Sequence, residues 1–274
     1  MSKSSAQALP QLSVQHDVEY GTAGGQKLLL DLYIPAEPAS KPRAALVLIH
    51  GGGWTSGSKD GLSGMATFLA RWGFVAASID YRLLQGNQNR WPAQLDDAQT
   101  AVRWLRANAG KYNIDPDRIG AFGHSAGGQM ASLLGMEDTH NQAAPLAKYS
   151  SRVQAVVDVA GPADFLTDHD PEGDAELANL FGSDYRKNPA PWRDASPVDH
   201  VAKSDAPFLI IQGTKDNAVP PSQSQELYDK LHAAGVPVTL VKLDAGHMFT
   251  PPDARRQLAL ETLKFFNQYL GGNP

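Results

Sequence analysis

Residues 118–134 read RIGAFGHSAGGQMASLL, and this stretch decides the fold. Its first part, Arg118–Phe122, is a short apolar run that reads as a strand, and its last part, Ala126–Leu134, reads as a helix. Between them, Gly123-His124-Ser125-Ala126-Gly127-Gly128 has only a few residues in which to turn from strand to helix. Such a turn forces Ser125 into a strained backbone, and glycine at 123 and 127 avoids side chains that would collide with neighbouring elements.

The same strand–helix alternation extends outward in both directions. Upstream, Lys27–Ile34 alternates loosely, as a half-buried strand does, and Arg43–Ile49 (RAALVLI) is continuously apolar, as a strand covered on both faces must be. Leu62–Trp72 reads as a helix and Phe74–Ile79 as the next buried strand. Pro92 opens an amphipathic helix whose Leu95, Ala98, Val102 and Leu105 step by three and four residues. Downstream, Val153–Val159, Phe208–Ile211 and Val236–Leu243 read as strands, while Ser222–Ala234 (ended by Gly235) and Ala254–Leu270 read as helices. Residues 163–200 are polar, proline-rich and irregular. The expected fold is α/β: about eight strands in one mostly parallel sheet, helices on both faces, and an antiparallel end where the earliest strands lack intervening helices.

The chain has 274 residues, which on length alone suggests about two domains. One continuous winding of strands and helices favours a single domain, 1–274, with 163–200 as a small cap-like insertion. Composition narrows the chemistry. A net charge of −5 lacks the basic excess of a nucleic-acid-binding surface. No apolar run approaches the roughly 18 residues of a membrane span. With no cysteine, thiolate nucleophiles, disulfides and Cys-ligated metals are excluded. The N-terminal ten residues contain no apolar signal core, although Ala6-Gln7-Ala8 resembles a small-residue cleavage site, so the compartment stays open.

In parallel sheets the chemistry gathers beyond the carboxyl ends of strands. His50-Gly51-Gly52-Gly53-Trp54 follows one such strand, the Ser125 turn follows another, and Asp216 and His247 follow two more. With 25 glycines and 8 histidines in the chain, Gly-x-Ser-x-Gly arises by chance on the order of 0.15 times. His-Gly-Gly-Gly arises on the order of 0.006 times, so it carries the greater weight. A phosphate cradle is the competing reading of the glycine loop, but neither Gly-x-Gly-x-x-Gly nor Gly-Lys-Ser/Thr is present. In this architecture an acid and then a histidine follow the serine. Asp216 fits best, with Asp158, Asp164, Asp199 and Asp244 as rivals. Of the two later histidines, His247 lies in a loop past the last strand and His232 lies on a helix. His50 is expected to hold its own loop and His124 to be structural. The remaining histidines, His16, His140, His169 and His200, have no metal-ligand spacing, so no metal and no cofactor are expected.

Together these residues resemble the α/β-hydrolase superfamily, and more narrowly its hormone-sensitive-lipase-like and feruloyl/acetylxylan-esterase-like carboxylesterases. The segments that carry the resemblance are HGGGW (50–54), DYR (80–82), WPAQLDDAQTAVRWLRANA (91–109), DPDRIGAFGHSAGG (115–128), SPVDHV (196–201), PFLIIQGTKDNAVP (207–220) and AGH (245–247). The resemblance implies Ser125 as nucleophile, His247 and Asp216 as its partners, and the N–H groups of Gly52, Gly53 and Ala126 as an oxyanion hole, with the Trp54 N–H as a substitute donor. It also implies a small-molecule ester as substrate and leaves room for a homodimer. Trp54, the loop 83–91, Phe165, Leu166 and Trp192 are candidate pocket walls. Two other readings stay open: an arylformamidase or other amide hydrolase, and a hydrolase-fold binding protein without catalysis.

Overall fold

The computed structural model describes residues 10–136, 146–167 and 171–271. Eight strands form one sheet: β1 (Leu12–Ala23), β2 (Gln26–Pro35), β3 (Arg43–Ile49), β4 (Val75–Ile79), β5 (Ile114–His124), β6 (Ala155–Val159), β7 (Phe208–Gly213) and β8 (Val238–Leu243). Their order across the sheet is β1-β2-β4-β3-β5-β6-β7-β8. β2 is antiparallel to both β1 and β4, and every other pair is parallel. The antiparallel end is therefore where the sequence placed it. The helices are α1 (Ser63–Arg71), α2 (Ala93–Ala107), α3 (Ala109–Tyr112), α4 (Ala126–Met136), α5 (Pro171–Phe181), α6 (Ala190–Ala195), α7 (Pro221–Ala234) and α8 (Pro252–Leu270).

The apolar run of β3 is divided between the two faces of the sheet. Ala45, Val47 and Ile49 join a buried cluster with α2, α4 and α7, whereas Ala44, Leu46 and Leu48 join another with α1 and α8. Alternate side chains of a strand point to opposite faces, so a strand covered on both sides must be apolar throughout. The result stacks the carboxyl ends of β3, β5, β7 and β8 along one rim of the sheet.

Two elements depart from the sequence reading. β1 carries no apolar stripe because it is an edge strand with mostly exposed side chains, and its legible signal is the Gly24-Gly25 turn into β2, with both residues at positive φ. The segment 163–200 is not irregular. It holds α5 and α6, and its Phe165, Leu180, Phe181 and Trp192 enter the same buried cluster as the sheet face beneath them. No helix among the described residues is long and apolar enough to cross a membrane.

Candidate active site

Ser125 sits between β5 and α4 with φ at 57°, a left-handed conformation that an L side chain rarely adopts. The close approach around it requires glycine. A Cβ on Gly123 would lie 1.9 Å from the Gly127 carbonyl oxygen, and one on Gly127 would lie 2.0 Å from that of Ile49. The turn is fastened to the sheet by its own N–H, which donates to the Val159 carbonyl at 2.8 Å.

The Ser125 hydroxyl lies 2.9 Å from His247 Nε2, and His247 Nδ1 lies 2.8 Å from Asp216 Oδ2. Three elements thus converge: the β5–α4 turn, the loop after β7 and the loop after β8. Asp216 is buried and well supplied with donors. Its Oδ1 accepts the N–H groups of Ala218 and Val219, both at 2.9 Å, and its Oδ2 also accepts from Gln212 Nε2 at 3.1 Å. Four donors converge on this carboxylate and fix the edge that it presents to the imidazole.

None of the rival residues reaches His247. Asp158 lies within β6 beneath α4, bound to Ser132 Oγ and the Gly161 N–H, and burial pushes its pKa up to about 6. Asp164 borders the cavity and accepts the Leu166 N–H; Asp199 is exposed; Asp244 pairs with Lys215. His232 stacks on Tyr228 along α7. His124 donates from Nε2 to the His247 carbonyl at 2.9 Å, and burial lowers its pKa, so it braces the histidine loop as a neutral ring. His50 donates from Nδ1 to its neighbour's carbonyl, Gly51 O, at 2.7 Å and stacks on Tyr81 with ring centroids 4.3 Å apart. His16 pairs with Asp31, and His200 donates to the Asp194 carbonyl. His140, His169 and Ala6–Ala8 lie outside the described residues. Among the described residues, no group of three His, Asp or Glu side chains is arranged to hold a metal ion.

The loop 50–57 closes on itself: the Gly52 carbonyl accepts the N–H groups of Thr55 and Ser56. Gly52 has φ at 123°, and a Cβ there would lie 2.1 Å from the Ser56 carbonyl oxygen. No acceptor among the described residues takes the N–H of Gly52, Gly53 or Ala126. Lys59, just past the loop, anchors it to the antiparallel end of the sheet. Its ammonium pairs with Asp31 at 2.8 Å and Asp17 at 3.1 Å, and its N–H donates to Asp80 Oδ1 at 2.7 Å.

A cavity of about 860 Å³ opens over Ser125 and His247. Of the pocket walls expected from sequence, Trp54, Leu84 and Phe165 line it. Leu166, Trp91 and Trp192 do not. Trp192 is fully buried within the insertion and donates to the Ser183 carbonyl, while Trp91 donates to Asp194 and packs edge-on against Phe181. The sequence reading missed a further wall, formed by α5 through Asp174, Glu176, Leu177 and Leu180. Its signals were Pro171 at the start of the helix and Gly182, at positive φ, just past the end. Met248, beside His247 at the cavity and 67% exposed, was missed as well.

Comparison with known proteins places these features in a family. The BD-FAE family model matches residues 30–231. The chain is 33% identical over 249 residues to Esterase LipC of Mycobacterium tuberculosis, covering 87% of this chain and 60% of LipC. It is 31% identical to LipM of the same organism, described as a probable carboxylic ester hydrolase, over 78% of this chain and 51% of LipM. The chain therefore spans between half and two thirds of the length of these curated relatives. Among solved structures, a truncated carbohydrate esterase from gut microbiota superposes with a TM-score of 0.84 at 29% identity, over 96% of this chain and 98% of that one. Thermogutta terrifontis esterase 2 phosphonylated by sarin superposes with a TM-score of 0.81 at 26% identity, over 98% of each chain. With the fold, the strand-end loops and the family model in agreement, this chain belongs to the BD-FAE family of α/β-hydrolases.

Proposed function

We propose that this chain is a serine carboxylesterase that cleaves short-chain or aromatic esters of the feruloyl or acetyl type through an acyl-enzyme. The observation that carries the reading is the unbroken hydrogen-bonded series from Asp216 through His247 to Ser125, opening into a cavity. His247 takes the Ser125 proton as the hydroxyl attacks the ester carbonyl. Asp216 holds the Nδ1–H tautomer and stabilises the imidazolium that forms. The N–H groups of Gly52, Gly53 and Ala126 receive the oxyanion, each worth roughly 3 kcal/mol to the transition state. His247 then returns the proton to the leaving alcohol, and water, activated by the same imidazole, releases the acid.

The aromatic edge of Trp54 against Phe165, with centroids 5.7 Å apart, gives the cavity an apolar wall suited to a small acyl or aryl group. Ser125→Ala is expected to abolish p-nitrophenyl acetate hydrolysis and covalent labelling by a fluorophosphonate. Labelling that persists on this variant overturns the assignment. A screen of acyl length and aryl esters, with N-formylkynurenine alongside, separates ester from formamide preference.

A further inference from the structure

Gln129 lies on α4, four residues past Ser125, and is fully buried. Its Oε1 accepts the Trp54 indole N–H at 3.2 Å, and its Nε2 donates to the Ala195 carbonyl at 2.7 Å. Those partners lie 75 and 66 residues away in sequence, one in the glycine loop after β3 and the other at the end of α6 in the insertion. Its main-chain N–H donates to the Ser125 carbonyl at 3.1 Å. One residue therefore ties together the serine turn through its main chain, and the loop carrying Gly52 and Gly53 and the insertion through its side chain.

The chemistry of the partners dictates the residue. An indole nitrogen only donates and a carbonyl only accepts, so the side chain between them must accept at one end and donate at the other. A neutral amide of glutamine length does both. Leucine does neither, methionine cannot donate, and a carboxylate would set its charge against the Ala195 carbonyl. Trp54 directly follows Gly53 and is itself at positive φ, and its carbonyl accepts the Leu84 N–H at 2.8 Å. Its indole bond to Gln129 adds a tether from α4 to a main chain otherwise held by the Thr55 and Ser56 N–H groups on the Gly52 carbonyl and by the Leu84 N–H on the Trp54 carbonyl.

We propose that Gln129 is a positioning residue that sets the Gly52–Gly53 N–H groups relative to Ser125, with the Ala195 carbonyl as its backstop. The proposal rests on the reading of that loop as the oxyanion donor. It is tested by steady-state kinetics on p-nitrophenyl acetate with Q129L, Q129E, W54F and the double variant W54F/Q129L, each checked for folding by circular dichroism. In Q129L, kcat is expected to fall about tenfold or more while KM moves by less than about threefold, since donors misplaced by a fraction of an ångström fail in the transition state first. In Q129E, the ratio of its kcat to that of the unsubstituted protein rises as pH falls from about 8.5 to about 6, because the protonated carboxyl can both accept from Trp54 and donate to Ala195. In the double variant the loss is no greater than in the worse single variant, because Q129L already removes the Trp54 bond that W54F removes.

Unchanged kcat in Q129L, a pH-independent Q129E ratio, or losses that multiply in the double variant each overturn the proposal. Should Q129L fail to fold, the Q129E ratio decides. Ser125→Ala run in parallel separates the two levels. A protein without esterase activity, or one whose Ser125→Ala variant keeps it, sinks the catalytic reading. A dead Ser125→Ala variant beside fully active Gln129 variants sinks only the positioning.

Discussion

Ser125 shows how much a single residue can demand of its surroundings. Its left-handed backbone is held because Gly123 and Gly127 leave no room for anything else. Gly127→Ala places a methyl group against the backbone of β3, which cannot yield as a side-chain tip would. It is expected to cost about 3 kcal/mol or more of stability, read as a lowered urea midpoint. This glycine logic was legible in the sequence because the strain is local. Gln129 was not, since a glutamine on a helix has no local signature and its role exists only through partners brought in from elsewhere. Asp158 makes a different prediction. Its pKa is raised to about 6 by burial, so the folded state holds a proton that the unfolded chain releases near pH 4. The stability tied to that proton is present below about pH 4 and is lost as pH rises through about 6. Asp158→Asn, which stays neutral, is expected to flatten the fall in urea midpoint over that window; an unchanged slope refutes it.

At the scale of elements, what was legible follows from what each element buries. β3, β6 and β7 are covered on both faces and announce themselves as continuous apolar runs. β1, an edge strand, buries little and hides among polar residues. α5 went unread because only tertiary packing turns Leu177 and Leu180 toward the cavity, although its end signals were present. The antiparallel end matters beyond its own stability because Lys59 joins it to the glycine loop. Lys59→Met would leave the buried Asp31 carboxylate with only His16 and the Asp17 N–H as partners, and a loss of about 2 kcal/mol is expected, below that of a buried charge left wholly unpaired. Denaturant titration measures it, and a midpoint within error of the unsubstituted protein contradicts it.

At the scale of the whole molecule, charge shapes what enters. The chain carries −5, and the described lining of the cavity includes Asp164, Asp174 and Glu176 but neither lysine nor arginine. For the esterase proposed above, an ester with a carboxylate on its acyl chain would meet repulsion at the same place where it must shed water. Its kcat/KM is expected to fall about tenfold or more below that of a neutral ester of equal length at low salt, with the gap closing as salt is added. Equal rates for p-nitrophenyl hemisuccinate and p-nitrophenyl butyrate at low ionic strength would count against this.

The contact between Gln129 and the insertion has one more consequence. What the amide grips is a main-chain carbonyl of α6, which every amino acid provides. The exposed side chains of that helix, at Ala190 and Arg193, can change without touching this bond, whereas Trp192 and Ala195 are buried and held by packing. A substitution at Arg193 would therefore leave the Ala195 carbonyl where Gln129 meets it, while one at Trp192 would disturb the packing that sets the backbone presenting that carbonyl.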